Sequence, residues 1–107
     1  MKYKNAYARS SDSTNSVIYT TPQDRTAILK SLVVCSDLEV DCTFSLVWKD
    51  KSNGDAEVRL VKSAVLPAGT LLGVLDSPMV LESGDSIHVS TDDGVVFATL
   101  SLMEVEN

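Results

Sequence analysis

A single antiparallel, two-layer β-sandwich is the fold this sequence predicts, and three observations predict it. Short apolar segments recur about every ten residues with turn residues between them, the rhythm of a sandwich or barrel. Val40 to Lys49 alternates cleanly, with Val40, Cys42, Phe44, Leu46 and Trp48 on one side and Asp41, Thr43, Ser45, Val47 and Lys49 on the other, as a half-buried strand must. Third, Leu66-Pro67-Ala68-Gly69 and Glu82-Ser83-Gly84-Asp85 interrupt apolar runs with turn chemistry. That passage builds β-structure and leaves no room for a catalytic loop.

Taken in order, residues 1–13 are polar apart from Tyr3 and Tyr7 and end in Ser10-Ser11-Asp12-Ser13. They read as a flexible N-terminal arm, ordered on a partner, ahead of a sandwich domain over 14–107. The first strand, Asn15 to Thr20, stops before Pro22, which cannot donate to a ladder. Thr26 to Cys35 also fits a helix through Ile28, Leu29, Leu32 and Val33, with Asp24 as its cap. Its β-branched Ile28, Val33 and Val34 favour a strand. After Val40 to Lys49, Asn53-Gly54 suits a type I′ hairpin, and Ala56 to Val65 returns. Thr70 to Leu75, Met79 to Glu82 and Asp85 to Thr91 follow, and Asp92-Asp93-Gly94 turns the chain into Val95 to Val105. Two packed layers are the natural way to bury about eight such strands. Immunoglobulin-like and jelly-roll connectivity both satisfy the pattern.

Composition bounds the function. With 107 residues, 44% of them hydrophobic, the chain is one domain able to bury about 65% of its unfolded surface. A net charge of −6 argues against sequence-independent nucleic-acid binding, which needs clustered bases. The charge is uneven, the first 25 residues being slightly basic and the remainder acidic, which points the arm towards an acidic neighbour. No stretch approaches the roughly 20 apolar residues of a spanning helix, and no signal-peptide core is present. The expectation is a soluble protein made in a cytoplasm, with no membrane and no nucleic-acid partner.

No catalytic chemistry can be assembled. His88, the single histidine, shares a strand face with Ser86 and Ser90 and reads as a solvated surface group, with no strained nucleophile turn beside it. Cys35 and Cys42 flank the loop Ser36 to Asp41 and could oppose each other across a hairpin. A reduced pair of small core residues is the preferred reading over a disulfide. Zinc lacks further ligands. Asp50 to Asp55 resembles a calcium loop only faintly, since Gly54 comes one place early and Val61 stands where a bidentate Glu is needed. The sequence therefore predicts no enzyme, no metal and no cofactor.

Two features point instead to contacts. Tyr3 and Tyr7, interleaved with Lys2, Lys4 and Arg9, offer large contact area at low entropic cost. The last strand is apolar on both sides. Val96, Ala98, Leu100 and Leu102 form one, and Val95, Phe97, Met103 and Val105 flank Thr99 and Ser101 on the other. A strand covered on one side only should be polar outside, so the outer side reads as a subunit contact, or as covered by a loop or by the arm. Tyr3, Tyr7, Arg9, Phe97 and Met103 are the candidate interface residues.

The segments Tyr19-Thr20-Thr21-Pro22, Thr26-Ala27-Ile28-Leu29-Lys30-Ser31-Leu32-Val33-Val34-Cys35, Leu66-Pro67-Ala68-Gly69 and Val80-Leu81-Glu82-Ser83-Gly84-Asp85-Ser86-Ile87 resemble small β-sandwich virion proteins of tailed bacteriophages. The resemblance spans about Tyr19 to Val105 and rests on strands and turns. It implies a virion structural protein, foremost a capsid decoration or cement subunit, contacting capsid or tail proteins of the same particle as a homo-oligomer, with a trimer expected. Tail, neck or baseplate components and a fibre-type carbohydrate- or receptor-binding module are the alternatives. Ser36 stands where an Asn commonly follows the cysteine in that family.

Overall fold

The computed structural model describes residues 2–11, 15–36, 41–75 and 77–107. Nine strands follow in chain order: β1 (Lys2–Ser11), β2 (Ser16–Thr20), β3 (Arg25–Ser36), β4 (Cys42–Asp50), β5 (Ala56–Leu66), β6 (Leu71–Gly73), β7 (Met79–Leu81), β8 (Ser86–Asp93) and β9 (Val95–Glu106). They pair antiparallel into two sheets. One runs β1-β9-β3-β6, with β7 also on the β3 edge, and the other runs β2-β8-β4-β5. The chain is thus the all-β, two-layer sandwich expected. With β6 and β7 counted as one interrupted strand, the alternation between sheets is that of a jelly roll, with two Greek keys, and the immunoglobulin-like alternative drops out.

The core lies between the sheets and is supplied by strand alternation. Leu29, Leu32 and Val34 of β3, Phe44 and Leu46 of β4, Ile87 and Val89 of β8, and Val96, Ala98, Leu100 and Leu102 of β9 are buried. Each large side chain removed from water contributes about 1.5–3 kcal/mol. Trp48 packs half-buried against this cluster, so the inward side of β4 is as read from its sequence. The long segment that also fits a helix is strand β3, because it pairs with β9 along its length and its inward Leu29, Leu32 and Val34 join the core cluster.

One end is closed by Asp85. Its carboxylate is fully buried and accepts from Lys51 N at 2.9 Å, Glu82 N at 3.0 Å and Trp48 Nε1 at 3.3 Å. Asp85 N donates to Glu82 O at 3.0 Å, closing the Glu82-Ser83-Gly84-Asp85 turn. The side chain thus ties the β7–β8 turn to the β4–β5 connection. Gly84 is required there: its φ is +85°, and a Cβ would meet Lys51 Cγ at 2.8 Å.

Several expectations are corrected. Lys2 to Ser11 is not a free arm. It is β1, in register with β9 from Lys2↔Glu104 to Ser11↔Val95. Its inward residues Ala6, Ala8 and Ser10 are small, so it lacked the apolar signal of a strand, while β9 supplies the ladder. The expected boundary between residues 13 and 14 and the start of the fourth strand at Val40 lie outside the described residues. Asn53-Gly54 does not form a two-residue hairpin: Lys51–Asn53 is a 3₁₀ turn, and Gly54 and Asp55 both take positive φ. A five-residue link lets Lys51 N reach Asp85. Asp24 caps no helix but turns the chain into β3 with φ of 64°. Cys35 and Cys42 do not face each other across a hairpin either, because β3 and β4 belong to different sheets. Both are free, with Cys42 buried among core residues and Cys35 half-buried on the outward side of β3.

Candidate interaction face

Strand β1 lies beside β9, not over it, so among the described residues the outward face of the five-stranded sheet stays open. Directly opposed residues share a face, and the registers assemble that face row by row. Tyr3 opposes Met103, Met103 opposes Ile28, and Ile28 opposes Val80. This is a continuous apolar row across four strands. A second row runs Arg9, Phe97, Cys35 and Leu71. Between them sit smaller or polar groups: Asn5 opposite Ser101, and Tyr7 opposite Thr99, which opposes Val33.

All five residues singled out from the sequence therefore fall on one surface, in two pairs and a singleton: Tyr3 with Met103, Arg9 with Phe97, and Tyr7 between them. Sequence reading treated an arm and a strand as separate contacts, whereas their pairing makes them one. Tyr3 and Tyr7 are 75% and 73% exposed, and Leu71 and Val80 are 69% and 56% exposed. Ile28, Leu71 and Val80 were missed as face residues. The signal was present in β3, whose apolar residues occupy both sides as they do in β9.

Beneath β1, Glu104 is buried to 1% exposure on the inward side of β9. Tyr19 OH donates to its Oε2 at 2.5 Å, and Lys4 Nζ and Arg25 Nη1 stand 3.5 Å from its two oxygens. The Tyr19 hydrogen bond, joined by the charges of Lys4 and Arg25, holds the Glu104 carboxyl below its ordinary pKa against the opposing effect of burial. Burial and then the Glu104 carboxylate push the Tyr19 phenol above its ordinary value. The carboxylate is thus compensated, and Lys4 fastens β1 to the body.

On the other sheet, His88 corrects its reading as a solvated group. It is 7% exposed, between Val17 of β2 and Val47 of β4. Asn15 Nδ2 lies 3.4 Å from Nδ1 and donates to it, leaving Nε2 to donate to Ser86 Oγ at 2.8 Å. Burial first, then the charge of Lys49, pull its pKa below the usual histidine value. The ring is a neutral, hydrogen-bonded structural group; among the described residues no thiol or carboxylate is hydrogen-bonded to it. Asp50, Glu82 and Asp85 bring carboxylate oxygens within 4.8 Å of one another, but those of Asp85 already accept three N–H groups, which suits a turn anchor better than a cation site.

No family model matches the chain, and no curated protein matches it. Among solved structures, a chain from Bacillus endospore appendages, described as a novel family of disulfide-linked pili, is similar with a TM-score of 0.54. The match covers 98% of this chain and 87% of that one at 11% identity. It shows a shared fold.

Proposed function

We propose that this protein is a structural subunit of a bacteriophage particle, most concretely a capsid decoration or cement protein that binds neighbouring virion proteins as a homo-oligomer, with a trimer as the working form. The observation that carries the reading is the outward face of the five-stranded sheet, where Tyr3, Met103, Ile28 and Val80 make one row and Arg9, Phe97 and Leu71 end another. Solvated sheet faces alternate to polar residues, and contiguous exposed apolar surface marks interaction sites. The molecule measures 43 × 27 × 20 Å, so its broad side accommodates the about 800 Å² per partner of a standard interface. The appendage-forming description of the fold neighbour supports the wider class of repeated-subunit assembly. Tail, neck and baseplate positions use the same face and form the next reading.

A saccharide-binding module is the second reading, favoured by Tyr3 and Tyr7 standing exposed with Asn5 between them on one strand side. Co-sedimentation with purified expanded capsids tests the first. The wild-type chain should bind saturably, and Tyr3→Ser/Tyr7→Ser/Phe97→Ser should not. Binding unchanged by the triple substitution removes the proposal. Saturable sugar binding on a glycan array, lost in the same variant, replaces it with the second reading.

A further inference from the structure

The two sheets have four edges, and three are guarded. β2 has five residues and a register shift between Val17 and Tyr19. β5 is long but carries two register shifts against β4 and a left-handed Ser63 with φ of 49°. β6 and β7 have three residues each. Short edges, bulges and kinks of this kind prevent strand addition. β1 has none of them: it runs ten residues in unbroken register with β9 and contains no proline.

The free side of β1 can be assigned. Arg9 O accepts from Ser16 Oγ at 3.1 Å, so it points away from β9. Because a strand residue turns its N–H and C=O to the same side, Tyr3, Asn5 and Tyr7 also present their backbone groups outward. The edge is charged as well: β1 carries Lys2 and Arg9 and no acid, in addition to Lys4, which is already paired with Glu104 at 3.5 Å. The rest of the chain carries six bases and fifteen acids.

We infer that the β1 edge is a docking site for an extended, acidic segment of a different protein, which adds to the five-stranded sheet as a further strand. A second copy is the poorer occupant. Two β1 strands would bring together Lys2 and Arg9 from each, and this chain's other edges are short or bulged. Backbone hydrogen bonds would give affinity and the bases would select an acidic sequence. The added strand would lie beside the Tyr3 and Tyr7 side of the open face, so the inference rests on the assembly reading and names how one partner is gripped.

The test uses the full chain and two synthetic peptides, one alternating Glu with Thr and the other alternating Lys with Thr. The Glu-Thr peptide should bind and slow amide exchange at Tyr3, Asn5 and Tyr7, and the Lys-Thr peptide should not. Asn5→Pro removes one outward N–H while leaving the β9 ladder intact, as edge strands tolerate, and should abolish peptide binding. Lys2→Glu/Arg9→Glu, which leaves the backbone unaltered, should weaken it at least about tenfold. No exchange protection on β1, equal binding of both peptides, or self-association of the free chain that Asn5→Pro abolishes would overturn the inference. Capsid binding that survives Asn5→Pro but is lost in the Tyr3/Tyr7/Phe97 variant rejects the edge alone and leaves the assembly reading standing.

Discussion

The outward faces of the two sheets differ in kind. On the four-stranded sheet, Ser45, Lys49, Ser86, His88, Ser90, Glu57 and Arg59 point away from the core, Lys49 pairs with Glu57 at 3.7 Å, and His88 is hydrogen-bonded on both ring nitrogens. Val17, Val47 and Val65 also lie on that face, but they are single valines set among these polar groups. The five-stranded sheet turns Tyr3, Tyr7, Phe97, Met103, Ile28, Leu71 and Val80 outward. Both cover the same core, so fold stability does not require the difference, and the proposed contact with another surface would account for it.

The most severe way to break the comparison is to exchange the treatment of the two faces. Tyr3→Ser/Tyr7→Ser/Phe97→Ser should reduce particle binding by two orders of magnitude or more, an effect of about 3 kcal/mol. Val17→Ser/Ser90→Lys/Arg59→Glu on the opposite face should change it by less than about threefold. Isothermal titration or quantitative co-sedimentation reads both. Next in size, Asp85→Ala should destabilise the fold by about 2–3 kcal/mol in urea unfolding, because three part-buried N–H donors lose their acceptor. Since Asp85 lies on neither face, the residual folded protein should keep its particle affinity.

Two pH effects sharpen the contrast. Glu104 is held below its ordinary pKa in the folded state, foremost by the Tyr19 hydrogen bond. Its contribution is therefore present above the unfolded carboxylate value and lost as pH falls through the folded one. His88 is also lowered, chiefly by burial. The unfolded chain takes up a proton first as pH falls below about 6.5, so stability declines there. His88→Gln should flatten the decline between neutral pH and the carboxylate range, and Glu104→Gln should flatten the more acidic limb. Urea midpoints measured across pH check both. Smallest is a chemical readout: in the native protein iodoacetamide should label Cys35 and spare Cys42, and mass spectrometry of the digested protein distinguishes them.

Much of the fold was legible because strand burial is written with period two. β4 and β9 announced their inward sets through Phe44, Leu46, Leu100 and Leu102, and all eight strands sought after residue 14 are present as β2 to β9. β1 was illegible because its signal is inverted, with Ala6 and Ala8 inward and Tyr3 and Tyr7 outward. Its place depends on β9, about a hundred residues away in sequence, which no local pattern encodes. His88 was misread for a related reason: its strand neighbours Ser86 and Ser90 suggest solvent, but Val17 of β2 and Asn15 just before that strand cover it. The five interface candidates were legible one by one, and their union was not, since adjacency across strands is a property of register.

Hydroxyl-radical footprinting of the chain, free and bound to purified capsids, tests the central claim most directly, since it reads both faces in one experiment. Tyr3, Tyr7, Phe97 and Met103 should lose reactivity on binding while Val17 and Arg59 on the outward face of the other sheet keep theirs. Protection of Val17 and Arg59 with Tyr3, Tyr7 and Met103 unchanged would contradict the account and assign the contact to the opposite face.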